Sequence, residues 1–267
     1  MQAKFSDQAT TAYLENYRLL RRDVKKCLKK FIALPKGKNV HDLRGSFRRL
    51  NAAISVLPGN VRNNKSLKKY VEKDKRILKL TSPVRDIDIV GGKLKHNDSD
   101  LFSKKLLVLL KTKRRDAIKK PLREARKLSK RTVPIIKNMS MVGLDRSIEM
   151  EISTIRKEIE NYLRSATSSD ENLDELHSLR KSIKKLRYIL ELLPDTRSRK
   201  REISRLANWQ DISGDILEDH VFETYLKSLD PTEFSELSIL ETRESWKAKY
   251  RLILGWQENL DSLDKPL

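Results

Sequence analysis

The feature that most restricts this chain is an internal repeat. At an offset of 136 residues His41 meets His177, Leu43 meets Leu179, Arg44 meets Arg180 and Ser46 meets Ser182. Phe47 then meets Ile183, Arg48 meets Lys184, Arg49 meets Lys185, Leu50 meets Leu186 and Ile54 meets Leu190, and Leu57-Pro58 meets Leu193-Pro194, with no gap. Flanking segments align at nearby offsets. Leu20, Arg21, Arg22, Val24 and Leu28 pair with Ile155, Arg156, Lys157, Ile159 and Leu163, and Phe102, Lys111, Arg115, Lys119 and Leu122 pair with Phe234, Arg243, Lys247, Arg251 and Leu254. A chain that repeats its pattern at this length builds similar units twice. The expectation is one domain over residues 1–267 made of two copies, 8–131 and 144–262, each a bundle of about four helices. A pseudo-twofold axis would bring their equivalent surfaces together.

The repeating unit is helical. Tyr13, Tyr17, Leu20, Val24, Leu28 and Phe31 recur at helical spacing over 8–34, and Pro35, Gly37 and Asn39 end that run. Further helices are expected over 40–57, 65–80 and 83–94, with Pro58-Gly59 stopping the first of these. Residues 99–131 read as one long helix bent at Pro121, and 134–142 as a linker. In the second copy helices are expected over 144–166, about 170–193 (opened by a Ser168/Glu171 capping box), 198–227 and about 232–262, the last entered through Asp230-Pro231. No alternating apolar pattern calls for a strand. Only eight Gly and eight Pro, with 36% charged residues, fit an all-α chain whose helices each bury one stripe.

Charge points to a partner. Lys and Arg outnumber Asp and Glu by 58 to 37, a net +21, which repels itself unless an anion neutralises it. Nucleic acid, an anionic membrane or polyphosphate would each serve. On 40–57 the residues Leu43, Phe47, Leu50, Ile54 and Leu57 make one apolar stripe, while His41, Arg44 and Arg48 fall within about 60° of one another on a different face. His177, Arg180 and Lys184 repeat that phase, with Lys181 beside them. Residues 104–131 add thirteen Lys or Arg against Asp116 and Glu124 alone, whereas Asp211, Asp215, Glu218, Asp219 and Glu223 cluster without a cation. The expectation is a basic region and a separate acidic one, steering a polyanion to one side.

Several classes find no support. Cys27 is the single cysteine, reads as a core filler, and fits a reducing cytoplasm. No stretch approaches the roughly 20 apolar residues that span a bilayer, and residues 1–11 lack the pattern of a signal peptide. There is no phosphate-binding G-x-x-x-x-G-K-[ST], no H-E-x-x-H and no nucleophile elbow. Asp86, Asp88, Asp215 and Asp219 read as capping and ion-pairing groups in preference to a Mg²⁺ site. His96 reads as loop surface, and His220 carries no repeated pattern. No catalytic residue, metal or cofactor is expected.

These residues resemble the CHAD family, the conserved histidine α-helical domain. The resemblance rests on His41-Asp42-Leu43-Arg44 with Arg48-Arg49-Leu50, on Val84-Arg85-Asp86-Ile87-Asp88, and on His177-Ser178-Leu179-Arg180 with Lys184-Lys185-Leu186-Arg187-Tyr188. Gly214-Asp215-Ile216-Leu217-Glu218-Asp219 resembles the family's closing acidic motif, with Glu where Asn is usual. It implies two four-helix bundles about a pseudo-twofold axis and a basic central surface that binds inorganic polyphosphate without catalysis, in the cytoplasm or at polyphosphate granules. The contacts it implies first are His41, Arg44, Arg48, His177, Arg180, Lys181 and Lys184. Lys185, Tyr188, Arg21, Arg22, Arg114, Arg115, Arg156, Lys157 and Lys247 follow. Gly45 stands where the second copy has Lys181, so the halves need not grip equally. Some family members carry a triphosphate-cleaving tunnel domain, whose alternating glutamates are matched here only by Glu149 and Glu151 before Ser153 breaks the pattern.

Two rival readings remain at this level. One is a binder of nucleic-acid backbones, although the histidine helices lack aromatics interleaved for base stacking. The other is a phosphate-handling hydrolase. For the histidines, the alternative to ligand contact is that each orders a neighbouring helix through Asp86 or Asp219.

Overall fold

Helical spacing of apolar residues is realised almost throughout. In the computed structural model, residues 2–95, 101–136, 140–229, 243–245, 247–251, 253 and 256 are described, with side chains from residue 8 onward and excluding 101 and 102. They form α1 (Gln2–Ala33), α2 (Gly37–Ser55), α3 (Gly59–Arg62), α4 (Lys65–Leu80), α5 (Ser82–Lys95), α6 (Leu101–Ala117), α7 (Lys119–Ser129), α8 (Leu144–Ser168), α9 (Leu173–Leu190) and α10 (Arg197–Lys227), and no strand. The last expected helix, with Phe234 and Leu254, falls largely outside the described residues, as does His96.

Local chemistry fixes the helix ends. Just past α1 the Leu34 carbonyl accepts from the Lys36 amide at 2.9 Å and from the Asn39 side chain at 2.7 Å, which shapes the turn into α2. Asn64 caps α4 by accepting from the Ser66 and Leu67 amides at 2.9 and 3.2 Å, and Thr196 caps α10 by accepting from the Arg199 amide at 3.2 Å. Residues 99–131 are not one bent helix. The chain breaks at Ile118 between α6 and α7, one turn before Pro121. A proline there has no N–H for the Ala117 carbonyl and is tolerated only in a first turn, which is where α7 places it. The Ser168/Glu171 capping box does not form either. Ser168 ends α8, donating to the Ser165 carbonyl at 2.8 Å and accepting from the Asn172 amide group at 2.9 Å.

Two compact units are present. The first comprises residues 1–88, 109–152 and 188–194, and the second 89–108, 153–187 and 195–267. Neither is a single consecutive half of the chain: α5, α6, α8 and α9 each contribute to both. In the first unit α1 packs on α2 and α7, and α4 packs on the same two helices. That closed ring of four buries Tyr13, Val24 and Phe31 of α1, Leu43, Phe47 and Leu50 of α2, Leu67 and Ile77 of α4, and Leu128 of α7. Tyr13 donates from the core to the Ala53 carbonyl at 2.7 Å and Tyr17 to the Pro134 carbonyl at 3.1 Å. The second unit buries Ile155, Ile159 and Leu163 of α8, Leu179, Ile183 and Leu186 of α9, and Leu206, Trp209 and Ile216 of α10. Trp256 stacks on Trp209 at 4.7 Å, and Tyr250 donates to the Ala166 carbonyl at 2.6 Å.

Burial matches across the repeat. Leu43 and Leu179, Phe47 and Ile183, and Leu50 and Leu186 are all fully buried, and even Ser46 and Ser182 are both interior. Each copy of the histidine helix therefore keeps the same side inward.

A carboxylate sits inside the first bundle. Asp74 on α4 is fully buried; one oxygen accepts from the Asn51 amide group at 3.2 Å and the other has no hydrogen-bond partner. Burial pushes its pKa up from 3.8 to about 7, against the smaller opposing pull of Asn51 and Lys75. The unfolded chain releases this proton at the lower value and the folded chain at the higher one. Between them the folded state holds the extra proton, so this group's contribution to stability falls as pH rises through that window and is flat above it. We predict that the melting temperature of the wild-type chain falls between pH 5 and pH 8 and that Asp74→Asn shrinks this fall. Parallel pH dependence of the two melting curves would contradict this assignment.

Candidate polyanion-binding site

The buried stripe of α2 decides which of its residues face water. With Leu43, Phe47 and Leu50 inward, His41 and Arg48 are exposed and Arg44 is half-buried. The His41 side chain is 68% exposed, and its Nδ1 lies 3.4 Å from the Oδ1 of Asp42, the residue next to it in the chain. It is not held to another helix by that contact. Asp219, the carboxylate the sequence offered as a histidine partner in the second half, is buried and paired with Lys93 and with Lys249, the latter at 2.6 Å.

Arg44, Arg48 and Arg85 form a crowded cation cluster in the first unit. The Arg44 guanidinium is held down to about 10, first by burial and then by Arg48 and Arg85, with Asp86 pulling the other way. The protein around the Arg48 guanidinium lowers its pKa too, with Arg85 adding to the effect. Asp86 is itself raised by desolvation, in spite of Arg44 and Arg85. Arg48 makes no ion pair with a carboxylate among the described residues. Burial and neighbouring cations thus disfavour the charge on Arg44 and Arg48, the condition under which an external anion is stabilising. Arg85 was not among the sequence candidates. Its signal was its place in the Val84–Asp88 motif, where only the aspartates drew attention.

Arg44 also has a structural task. Its guanidinium donates to the Leu78 carbonyl at 2.5 Å and to Thr81 Oγ1 at 2.7 Å, pinning α2 to the end of α4. Arg180 does the same in the second unit, donating from Nε to the Gln210 carbonyl at 3.1 Å. Thr81 and Ser213 occupy matching places at an offset of 132: both are fully buried, and both hydroxyls donate back to carbonyls of their own helix. Next to Ser213, Gly214 leaves the room that the Arg180 guanidinium occupies, since a Cβ there would lie 2.6 Å from it. These receptors were legible in the sequence only once the repeat was extended into 77–81 and 209–213.

In the second unit His177 and Lys181 on α9 are exposed, and Arg180, Lys184 and Lys185 are half-buried. The secondary candidates separate into two groups. Arg22, Arg115 and Lys157 are exposed. The others are engaged with the protein. Arg21 donates twice to the Val133 carbonyl, at 3.0 and 2.8 Å. Arg114 grips Asp88 at 2.6 Å and the Pro35 carbonyl at 2.9 Å. Arg156 pairs with Glu202 at 2.9 Å and Lys247 with Asp170 at 3.3 Å. Tyr188 is buried, in the first unit, beneath the Arg49 guanidinium at 5.0 Å, and Arg49 also lies 3.6 Å from Glu191.

The acidic stretch of α10 is in part interior and does not form a continuous acidic face. Asp219 is taken by two lysines, and Glu223, 2% exposed, is gripped by Lys227 at 2.6 Å and Arg243 at 3.0 Å. Asp88 likewise faces Arg114, close to Gly37 at the start of α2. Among the described residues no group of three or more His, Cys, Asp or Glu is placed to hold a metal ion.

The features together define an all-α protein built on helical bundles, with two histidine-bearing helices that bury one stripe and expose cations on another side. A model of the CHAD domain matches residues 18–227, and the chain belongs to the CHAD domain family. A crystal structure of the CHAD domain from the plant Ricinus communis has the same fold, with a TM-score of 0.61 over 95% of this chain and 89% of that chain at 15% sequence identity. No curated protein matches the chain. No helix among the described residues is long and apolar enough to cross a membrane.

Arg44 and Arg48 of α2 should separate on mutation. Arg44→Ala removes charge-assisted bonds to a neighbouring helix and should cost about 1.5–3 kcal/mol. Arg48→Ala, at the surface, should stay within about 0.5 kcal/mol of wild type. Urea unfolding measures both, and equal losses would contradict the division of roles.

Proposed function

We propose that this protein binds inorganic polyphosphate, without cleaving it, through the outward cations of its two histidine helices. The observation that carries the reading is the grouping of Arg44 and Arg48, on the helix that exposes His41, with Arg85, where, on top of burial, Arg48 and Arg85 lower the Arg44 pKa and Arg85 lowers that of Arg48. Such a cluster is stabilised by an added anion more than by water, and a chain of phosphates supplies negative charge at regular intervals. Arginine forks take two oxygens each, and lysines act as point charges. His177, Arg180, Lys181 and Lys184 give the second unit the same equipment, with Lys181 in place of Gly45. Family membership adds independent support, because the histidine helices are the parts that carry the resemblance.

The carboxylates available for chemistry argue for a binding role. Asp88, Asp219 and Glu223 already face protein cations, which leaves them structural. In this reading Arg21, Arg114 and Arg156 act as ties within the fold, and the exposed Arg115 and Lys157 extend the positive field around the rows.

Polyphosphate binding should weaken steeply with salt, as phosphate-backbone binding does. Calorimetric titration with a long-chain polyphosphate should give affinities reduced at least tenfold by Arg48→Ala combined with Lys181→Ala, with the fold intact. Duplex DNA at equal phosphate concentration should displace little polyphosphate. Full displacement by DNA would favour a nucleic-acid binder, and phosphate release in the presence of Mg²⁺ would favour a hydrolase; either result overturns the proposal.

A further inference from the structure

We infer that the first unit carries a second ligand site, for an amphipathic organic anion, in a cavity between α1 and the end of α7. The cavity measures about 570 Å³, within the range of small-molecule sites. No residue of α2 lines it, so it is separate from the His41 row.

Its chemistry differs from that of the histidine helices in one decisive respect, an apolar floor. Leu28, Ile32, Tyr70 and Val133 line it, and Leu28, Tyr70 and Val133 are buried elements of the bundle. Burial drives the Tyr70 phenol well above its ordinary pKa, so it stays neutral. The rim is cationic. Arg18, Arg22, Lys25 and Lys29 follow one another along α1 at spacings of four, three and four residues, which puts them on one face, and all four are exposed. Lys130 and Arg131 close the rim from beyond α7. No carboxylate lines the cavity.

An inorganic polyanion uses the rim and wastes the floor, and a neutral apolar molecule does the reverse. A phosphate or carboxylate head joined to an apolar chain or ring satisfies both. Arg21 shapes the site, since its two bonds to the Val133 carbonyl hold the segment after α7 against α1. The floor is continuous with the core, and α1 and α7 pack directly on each other, so the site is a preformed part of the bundle.

The test uses octyl phosphate below its micelle concentration, with inorganic phosphate and octanol as the two half-ligands, titrated into the full chain. Octyl phosphate should bind at least tenfold more tightly than either. The pair Lys25→Glu and Lys29→Glu should cut that affinity at least tenfold, and Ile32→Asn, at a half-exposed floor position, should do so as well. His41→Ala with Arg48→Ala should leave it unchanged, and pentaphosphate should not displace it. Circular dichroism confirms that each variant stays helical, and the ligand comparison on the wild-type chain stands even where a variant does not. Equal affinity for octyl phosphate and inorganic phosphate, or displacement by pentaphosphate, would overturn the inference. Neither of those results bears on polyphosphate binding at α2, which is read separately through Arg48 and Lys181.

Discussion

Repulsion between cations held at fixed spacing is the constraint on which the rest of this structure turns. The apolar stripe of α2 is buried completely, so the helix cannot rotate to relieve Arg44, Arg48 and Arg85 of one another. In an isolated helix like charges one turn apart cost a few tenths of a kcal/mol. Here partial burial deepens the cost, because desolvation lowers the arginine pKa values before their neighbours do. A surface built this way is under electrostatic tension until an anion occupies it, and that tension is the physical basis for the proposed binding.

The placement of acidic groups makes the same point from the other side. With a net charge of +21 the chain has 37 carboxylates with which to neutralise its cations. Several of them are deployed inside the units, at Asp88, Asp219 and Glu223, where they tie together elements distant in sequence. Arginines also share in this work. Arg44 and Arg180 each join a histidine helix to a neighbouring helix through a backbone carbonyl, so the exposed cations of those helices are positioned by others of the same charge. The exposed His41 lies beside this framework, with its ring in contact with the adjacent Asp42.

Much of the fold was legible because the repeat and the 3.6-residue period act together. The Lys65–Leu80 helix has its expected limits, and every apolar pair predicted to be equivalent between Leu43–Leu50 and Leu179–Leu186 is interior in both copies. Two of the misreadings have local causes. Pro121 broke the long helix one turn upstream, because its missing N–H and its ring act on the preceding turn and not at the proline itself. Ser168 matched a capping pattern but lies where α8 is ending, so its hydroxyl serves a carbonyl behind it. The acidic run of α10 looked like surface because sequence does not show that Lys93, Lys249 and Arg243 reach it from far along the chain. In the candidate site, the exposure of His41, Arg48, His177 and Lys181 was readable from helical phase. The anchoring bonds of Arg21, Arg114 and Arg156 were not, because their partners lie 112, 26 and 46 residues away.

The central claim is that phosphate chains settle on the two histidine helices, and the imidazoles report on it directly. In a proton NMR titration with pentaphosphate, with His41→Gln and His177→Gln used to assign the signals, the resonances of His41 and His177 should both move and saturate together while that of His220 stays in place. Saturable binding with no movement at His41 and His177 would contradict the account.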